Sequence, residues 1–327
     1  MEPAPYMPPK APPSNAVTIV VAVDDNYVPH LAALIESIKA SLSKERFLDF
    51  IVLDGGIKKE NKSLINRQFF QNFENGSVQF IECKNLYKNS QMHSYFTETT
   101  LYRISIGQLL PNHAKALYLD TDIIVLQDIS ELFDIQLDGD YIVGAAIDVG
   151  MKGLQGKKEV MPRRVNGSGG VPLYTYLRDW LELKDEAENY FQAGVMLIDL
   201  EKFRATNIEA AAKKDLFENK YWFLDQDVLN KNLKNKVFYI DTSWNCLNVI
   251  SDMSVYLPEH WKEKVEQDFL NPKIVHYAGF KEKPWNNLDA PLSCFYWIFM
   301  RRTFWYEGII KNAKKLKKKK SMFSFFS

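Results

Sequence analysis

Apolar residues in this chain gather into short blocks separated by amphipathic stretches. VTIVVAV (17–23) is β-branched and apolar at odd and even positions alike, the pattern of a strand buried on both faces. It ends at Asp24-Asp25-Asn26, and a helical periodicity follows over 28–39. DFIVLD (49–54) reads as a second strand, 58–73 as a helix, SVQFIE (77–82) as a third strand and 99–110 as a helix. AKALYLD (114–120) is a fourth strand that runs through Thr121-Asp122 into IIVLQ, and YIVGAAID (141–148) is a fifth. Strand alternating with helix over about 150 residues predicts an α/β fold with a doubly wound, mostly parallel sheet.

The pattern then changes. Residues 149–171 hold six glycines, five Lys or Arg and no periodicity, and read as a long mobile loop that closes as a lid. AGVMLIDL (193–200), a helix over 202–219, DQDVLNKNL (225–233), VFYID (237–241) and PKIVHYAG (272–279) complete the regular segments. Residues 291–310 are densely aromatic and helical in pattern, and KNAKKLKKKK (311–320) follows. Three regions result: a Pro-rich, disordered lead-in over 1–15, one domain over 16–290 and a C-terminal segment over 291–327.

Equal numbers of basic and acidic side chains, 41 each, conceal an asymmetry. Residues 301–320 carry nine Lys or Arg and the single acid Glu307, which leaves 32 basic and 40 acidic groups elsewhere. An acidic body with a basic tail argues against a broad nucleic-acid surface. Cys83, Cys246 and Cys294 form no C-x-x-C pair and read as buried free thiols of a reducing compartment. No basic start leads into an apolar secretory core, and the apolar runs are strand-sized. The expectation is a cytoplasmic protein without a transmembrane helix.

No P-loop, G-x-G-x-x-G, G-x-S-x-G or H-E-x-x-H occurs, which removes the central part of several common enzyme classes. Carboxylates at strand ends stand out instead, where open α/β sheets bind ligands. In an extended chain Asp120 and Asp122 share a face, and two acids plus diphosphate oxygens can hold Mg2+ or Mn2+ beside a nucleotide. D-x-D strings arise often by chance; the apolar strands abutting this one single it out. His276 is a core histidine on the bland reading; as a third ligand it favours Mn2+ over Mg2+. Gly279 suits close backbone approach, and Lys281 and Lys283 suit a diphosphate unless they are ordinary solvated charge. His30, His93, His113 and His260 read as structural or surface residues.

Seven segments, in order, are AVDDNYVPHL (22–31), YRIS (102–105), LYLDTDIIV (117–125), AAID (145–148), FQAGVMLIDL (191–200), DQDVLN (225–230) and HYAGFKEKPW (276–285). Through them the chain resembles glycosyltransferase family 8, the retaining nucleotide-sugar transferases that include lipopolysaccharide galactosyl- and glucosyltransferases. The resemblance implies a single Rossmann-like domain of GT-A type, built on the D-x-D metal site. It implies that Ala22, Asp24 and Asn26 cradle uracil and ribose, and that Asp120, Asp122 and His276 bind Mn2+, with Mg2+ as the alternative. Arg103, Asp148, Ala193, Gly194 and Asp225 would surround the donor sugar, with Gln226 beneath the anomeric carbon. Gly279 and Lys283 would hold the β-phosphate. Gln192 stands where the family usually has Asn, which leaves the hexose open. The last motif is one residue longer than usual, so Lys281 is an alternative to Lys283.

A neutral amide is a poor nucleophile, so Gln226 favours front-face attack by the acceptor over double displacement; a covalent role for Asp225 or Asp148 is the rival. The aromatics over 295–306 either pack on the core or, with Arg301, Arg302 and the lysines, lie on anionic lipid; the second reading is taken. The expected partners are a UDP-hexose donor, a glycolipid or oligosaccharide acceptor and the inner face of the cytoplasmic membrane, with no nucleic acid. The rivals are transfer to a protein acceptor, glycogenin-like or adhesin-modifying, and a sugar- or nucleotide-binding module without catalysis.

Overall fold

This computed structural model describes residues 8–88, 97–158, 160–161, 170–248, 254–279 and 282–324. The chain opens with β1 (Ala16–Val23), α1 (Val28–Ser41), β2 (Phe47–Asp54), α2 (Lys59–Phe70) and β3 (Gly76–Glu82). A 3-10 helix over Glu98–Ser105 leads into α3 (Ile106–Leu109), β4 (Lys115–Leu119), β5 (Ile123–Val125), α4 (Ile129–Phe133) and β6 (Val143–Ile147). Next come α5 (Val149–Gly156), the two-residue strands β7 (Val160–Met161) and β8 (Val171–Pro172), and α6 (Leu173–Thr175), which continues as a π turn over Tyr176–Trp180. β9 (Phe191–Asp199), α7 (Leu200–Ala205), α8 (Ile208–Glu218), α9 (Asp225–Asn232) and β10 (Val237–Tyr239) follow. β11 (Cys246–Leu247), α10 (Glu259–Leu270), β12 (Ile274–His276), α11 (Ser293–Met300) and α12 (Tyr306–Ser324) complete the fold.

The seven-stranded sheet runs β10-β6-β9-β4-β1-β2-β3. It is parallel except at β9, which lies antiparallel to both β4 and β6. Every residue of β1 is buried because alternate side chains serve two layers. Val17, Ile19 and Val21 pack with Leu31 and Ile35 of α1, while Val20 and Ala22 pack with Leu101 and Tyr102. That is the α/β architecture expected from the two-sided apolar runs.

A three-stranded sheet, β11-β12-β5, positions the site. After Asp122 the chain leaves the main sheet, and β12 pairs antiparallel with β5 so that His276 lies opposite Ile123. Tyr277 N–H donates to the Asp122 carbonyl at 2.9 Å and extends that ladder. The final stretch of the domain thereby meets the end of β4.

Several expectations are corrected. The first third of the predicted 149–171 loop is helix α5, capped by the Asp148 carboxylate on Met151 N–H at 2.9 Å. Gly156 serves packing: a Cβ there would lie 2.0 Å from the Tyr256 carbonyl oxygen. Residues 159 and 162–169 of that loop lie outside the described residues. The single helix over 202–219 is two, broken where Thr206 turns extended. Residues 8–15 of the lead-in are placed: Pro9 is buried, and its carbonyl accepts from Asn112 Nδ2 at 2.9 Å. Cys294 is exposed, unlike Cys83 and Cys246. Among the aromatics read as meeting lipid, Tyr296 and Phe299 are buried beneath the domain's own surface. Among the described residues no helix is long and apolar enough to cross a membrane.

Candidate active site

β1 and β4 are neighbours, with Val21 paired to Leu119, so Asp24 and Asp120 leave the sheet at the same edge. Asp24 accepts from the backbone of Asn26 at 2.9 Å and of Tyr27 at 3.2 Å, a local turn that leads into α1. Ala22 lies in β1 and Asn26 is exposed beyond it.

Asp120, Asp122 and His276 each offer a ligand atom, and these atoms lie within 4.8 Å of one another. His276 Nε2 is 3.3 Å from Asp122 Oδ1 and 3.8 Å from Asp120 Oδ2. Across the ring, Nδ1 is 2.9 Å from Asn245 Oδ1, whose amide nitrogen donates to Gln192 Oε1 at 2.9 Å. That donation assigns the amide oxygen to His276, so Nδ1 carries the hydrogen and the Nε2 lone pair faces the carboxylates. Orientation of this kind is what a ligating imidazole requires, and the donor set fits a divalent cation.

Gly194 faces the same cluster because its carbonyl accepts the Asp120 N–H at 2.8 Å. A Cβ there would lie 2.4 Å from His276 Cε1 and 2.7 Å from Asp120 Oδ2, so only glycine fits. Asp122 is held by Lys283, whose ammonium also donates to the Tyr277 carbonyl at 2.8 Å. Burial opposes ionisation of Asp122, but the Lys283 ammonium holds its carboxyl below the usual range. Lys283 is itself buried and, with Asp122 offsetting the burial, holds its proton more firmly than usual. Gly279 sits three residues past His276, its carbonyl bonded to Glu282 N–H at 3.2 Å; Lys281 lies outside the described residues.

Arg103 joins this cluster to a second one. It donates to Asp120 at 2.7 Å, Asp225 at 2.9 Å and the Ala193 carbonyl at 2.6 Å, and lies 4.5 Å from the centre of the Tyr118 ring. Burial works against its charge, yet Asp120 and Asp225 raise its pKa above the ordinary value. Burial pushes the Asp225 carboxyl up to about 7, with Arg103 opposing. Gln226 accepts from Ala193 N–H at 3.1 Å and donates to Asp148 at 2.8 Å. Asp148 is raised too, by burial, against the pull of Met151 N–H and Gln226.

The structure thus links Asp148, Gln226, Ala193, Arg103, Asp225, Asp120, His276, Asp122 and Lys283 through one run of polar contacts. Sequence reasoning missed Asn245, Tyr118 and Asp227. The one usable signal for Asn245 was the rule that a ligating histidine needs an acceptor on its other nitrogen. His30 fits its structural reading: buried and pushed down to about 3 by that burial, it stacks on Trp285 with ring centres 3.5 Å apart and meets the Tyr296 hydroxyl at 2.8 Å.

General stress protein A of Bacillus subtilis (strain 168) is 29% identical to this chain, across 88% of this chain and 94% of its own. Lipopolysaccharide 1,3-galactosyltransferase of Salmonella typhimurium is 26% identical, across 86% and 77%. The galactosyltransferase LgtC, solved with donor and acceptor sugar analogs, superposes with a TM-score of 0.67 and 25% identity over 88% of this chain and 96% of that one. The WbbM bifunctional glycosyltransferase gives 0.83 and 28%, and this chain spans 91% of itself but 52% of that larger one. The family profile described as Glycosyl transferase family 8 matches residues 18–289, which takes in every side chain of the polar run, and the chain belongs to that family.

Proposed function

We propose that this protein moves a hexosyl unit, galactosyl or glucosyl, from a UDP-sugar to a lipopolysaccharide-type acceptor with retention of anomeric configuration, using Mn2+. The observation that carries this reading is the convergence of Asp120, Asp122 and His276 beside Arg103, Lys283 and Gln226. The acceptor class rests on relatives such as the Salmonella lipopolysaccharide galactosyltransferase.

A divalent ion held by Asp120, Asp122 and His276 would supply positive charge against the negative charge that grows on the departing diphosphate. Lys283 adds a buried cation at the same place, and Gly279 lets backbone approach the phosphate. Arg103 fixes Asp225 and the Ala193 carbonyl, and Ala193, Gly194 and Asp225 line the sugar. Asp148 and Ala193 clamp both ends of the Gln226 amide, so its face is set before the donor arrives. Ala22, Asp24 and Asn26 take the uridine. Asp148 caps a helix and binds Gln226, and Asp225 is paired to Arg103, so both carboxylates already serve to hold the site together. This supports front-face attack by the acceptor hydroxyl over a covalent intermediate.

The basic tail is the membrane face of this reading. Lys311, Lys314 and Lys315 are exposed on α12. Phe70 and Phe304 are also exposed, and line with Arg67 a groove of about 560 Å³. Incubation with Mn2+ and a panel of UDP-hexoses tests the enzyme, with donor hydrolysis and the anomer released read by NMR. One UDP-hexose turned over with retention is expected; inversion, or no turnover of any, rejects the proposal.

A further inference from the structure

Leu224, the residue before Asp225 and Gln226, has φ 46° and ψ −115°. That conformation is costly for a residue with a Cβ and persists only where the surroundings over-determine it. Leu224 is buried, so solvent does not relax it. The restraint comes from Asp227. Its carboxylate is 0% exposed and accepts from Phe223 N–H at 2.7 Å, Tyr176 hydroxyl at 2.8 Å and Tyr190 hydroxyl at 2.7 Å. Tyr176 in turn accepts from Trp222 N–H at 3.0 Å. The two peptide groups ahead of Leu224 and the helix residue behind it are therefore closed around one carboxylate.

The tyrosines tie this turn to both walls of the site. Tyr190 precedes β9, and its carbonyl accepts the Asp148 N–H at 2.9 Å. One helical turn beyond Gln226, Asn230 accepts from Phe191 N–H at 2.8 Å and donates to the Phe191 and Gln226 carbonyls, both at 2.9 Å. We propose that Asp227, gripped by Tyr176 and Tyr190, is a positioning residue: it holds the strained Leu224 turn so that Asp225 meets Arg103 while Gln226 meets Asp148 and Ala193. Its oxygens are spent on that grip, so it acts through its neighbours and does not touch the sugar. The inference rests on the donor-site reading of Asp225 and Gln226.

The test uses the full chain and measures kcat and KM for UDP-sugar hydrolysis, UDP affinity and thermal unfolding. Asp227→Asn should lower kcat at least about thirtyfold with UDP affinity held within about twofold, because the loss falls on orientation of the reacting sugar and not on nucleotide binding. Tyr176→Phe and Tyr190→Phe each remove one hydroxyl and should cost about three- to tenfold in kcat, which keeps the test open if Asp227→Asn fails to fold. In a Gln226→Ala background the Tyr190→Phe cost should shrink by at least about threefold, as expected of residues acting as a unit. Unchanged kcat in both tyrosine variants, or a cost undiminished without Gln226, would overturn the proposal. If Gln226→Ala and Asp225→Asn themselves leave hydrolysis intact, the donor-site reading fails instead.

Discussion

Lys283 donates to Oδ2 of Asp122 across 161 positions of sequence, and both groups are largely buried. Because Asp122 also faces His276, the ammonium occupies one oxygen of a carboxylate that a divalent ion would use. Removing it should therefore act in opposite directions on two ligands. Lys283→Met should tighten Mn2+ binding to the nucleotide-free protein and weaken UDP binding in the presence of Mn2+, each by about tenfold. Calorimetry with each ligand checks this. Weakening of both would mean that Lys283 merely props up the site.

Asn245 sets the His276 tautomer, so its loss should appear in metal affinity before anything else. Asn245→Ala should weaken Mn2+ binding by about 10–100-fold, and Asn245→Asp, which keeps an acceptor on Nδ1, by much less. Electron paramagnetic resonance titration of free Mn2+ gives the constants. Equal losses in the two variants would rule out the tautomer argument.

The Asp225 carboxyl titrates near 3.8 when unperturbed and near about 7 here, raised by burial. Between those values the folded state holds a proton that the unfolded state has released, so stability falls as pH rises and the loss is complete above the folded value. Asp225→Asn lacks this dependence. Urea denaturation in EDTA should show the wild type losing ground to the variant by up to about 1.4 kcal/mol per pH unit between pH 4 and 7. A flat difference, or one that favours the wild type as pH rises, contradicts the assignment.

If the tail meets anionic lipid, the exposed lysines of α12 carry the attraction. At about 1 kcal/mol per lysine, replacing Lys311, Lys314 and Lys315 by Gln should weaken partitioning onto phosphatidylserine vesicles by roughly a hundredfold, with UDP-sugar hydrolysis unchanged. Sedimentation at low and high salt measures it. Partitioning equal to wild type would make the helix a solubilising end only.

The central strands were legible because their chemistry is local. β1 and β2 carry apolar residues on both faces, broken by only Thr18 in β1 and by Asp49 and the terminal Asp54 in β2, a pattern that fits a strand buried on both sides. Asp120 and Asp122 could be read from the strands that flank them. The break between α7 and α8 could not, since no Gly or Pro marks it. It is set by tertiary contacts, with Arg204 bonded to the carbonyls of Leu110 and His113 at 3.0 Å. Glycines misled at α5, where 150, 153 and 156 looked like flexibility and Gly156 in fact admits a neighbouring carbonyl. Asn245 and Asp227 stayed hidden because the side chains that define their roles lie 31 to 53 positions away, which no spacing rule reaches.

The pairing of β12 with β5 also orders events in time. Asp120 and Asp122 are synthesised more than 150 residues before His276 and Lys283. A chain interrupted before Ile274 carries both acids but neither the imidazole nor the ammonium. If the two acids and the imidazole hold the ion proposed above, such a fragment lacks one of its ligands, and only a chain that includes β12 completes the set. In refolding, gain of metal affinity should accordingly report the docking of β12 against β5, whatever the state of the main sheet.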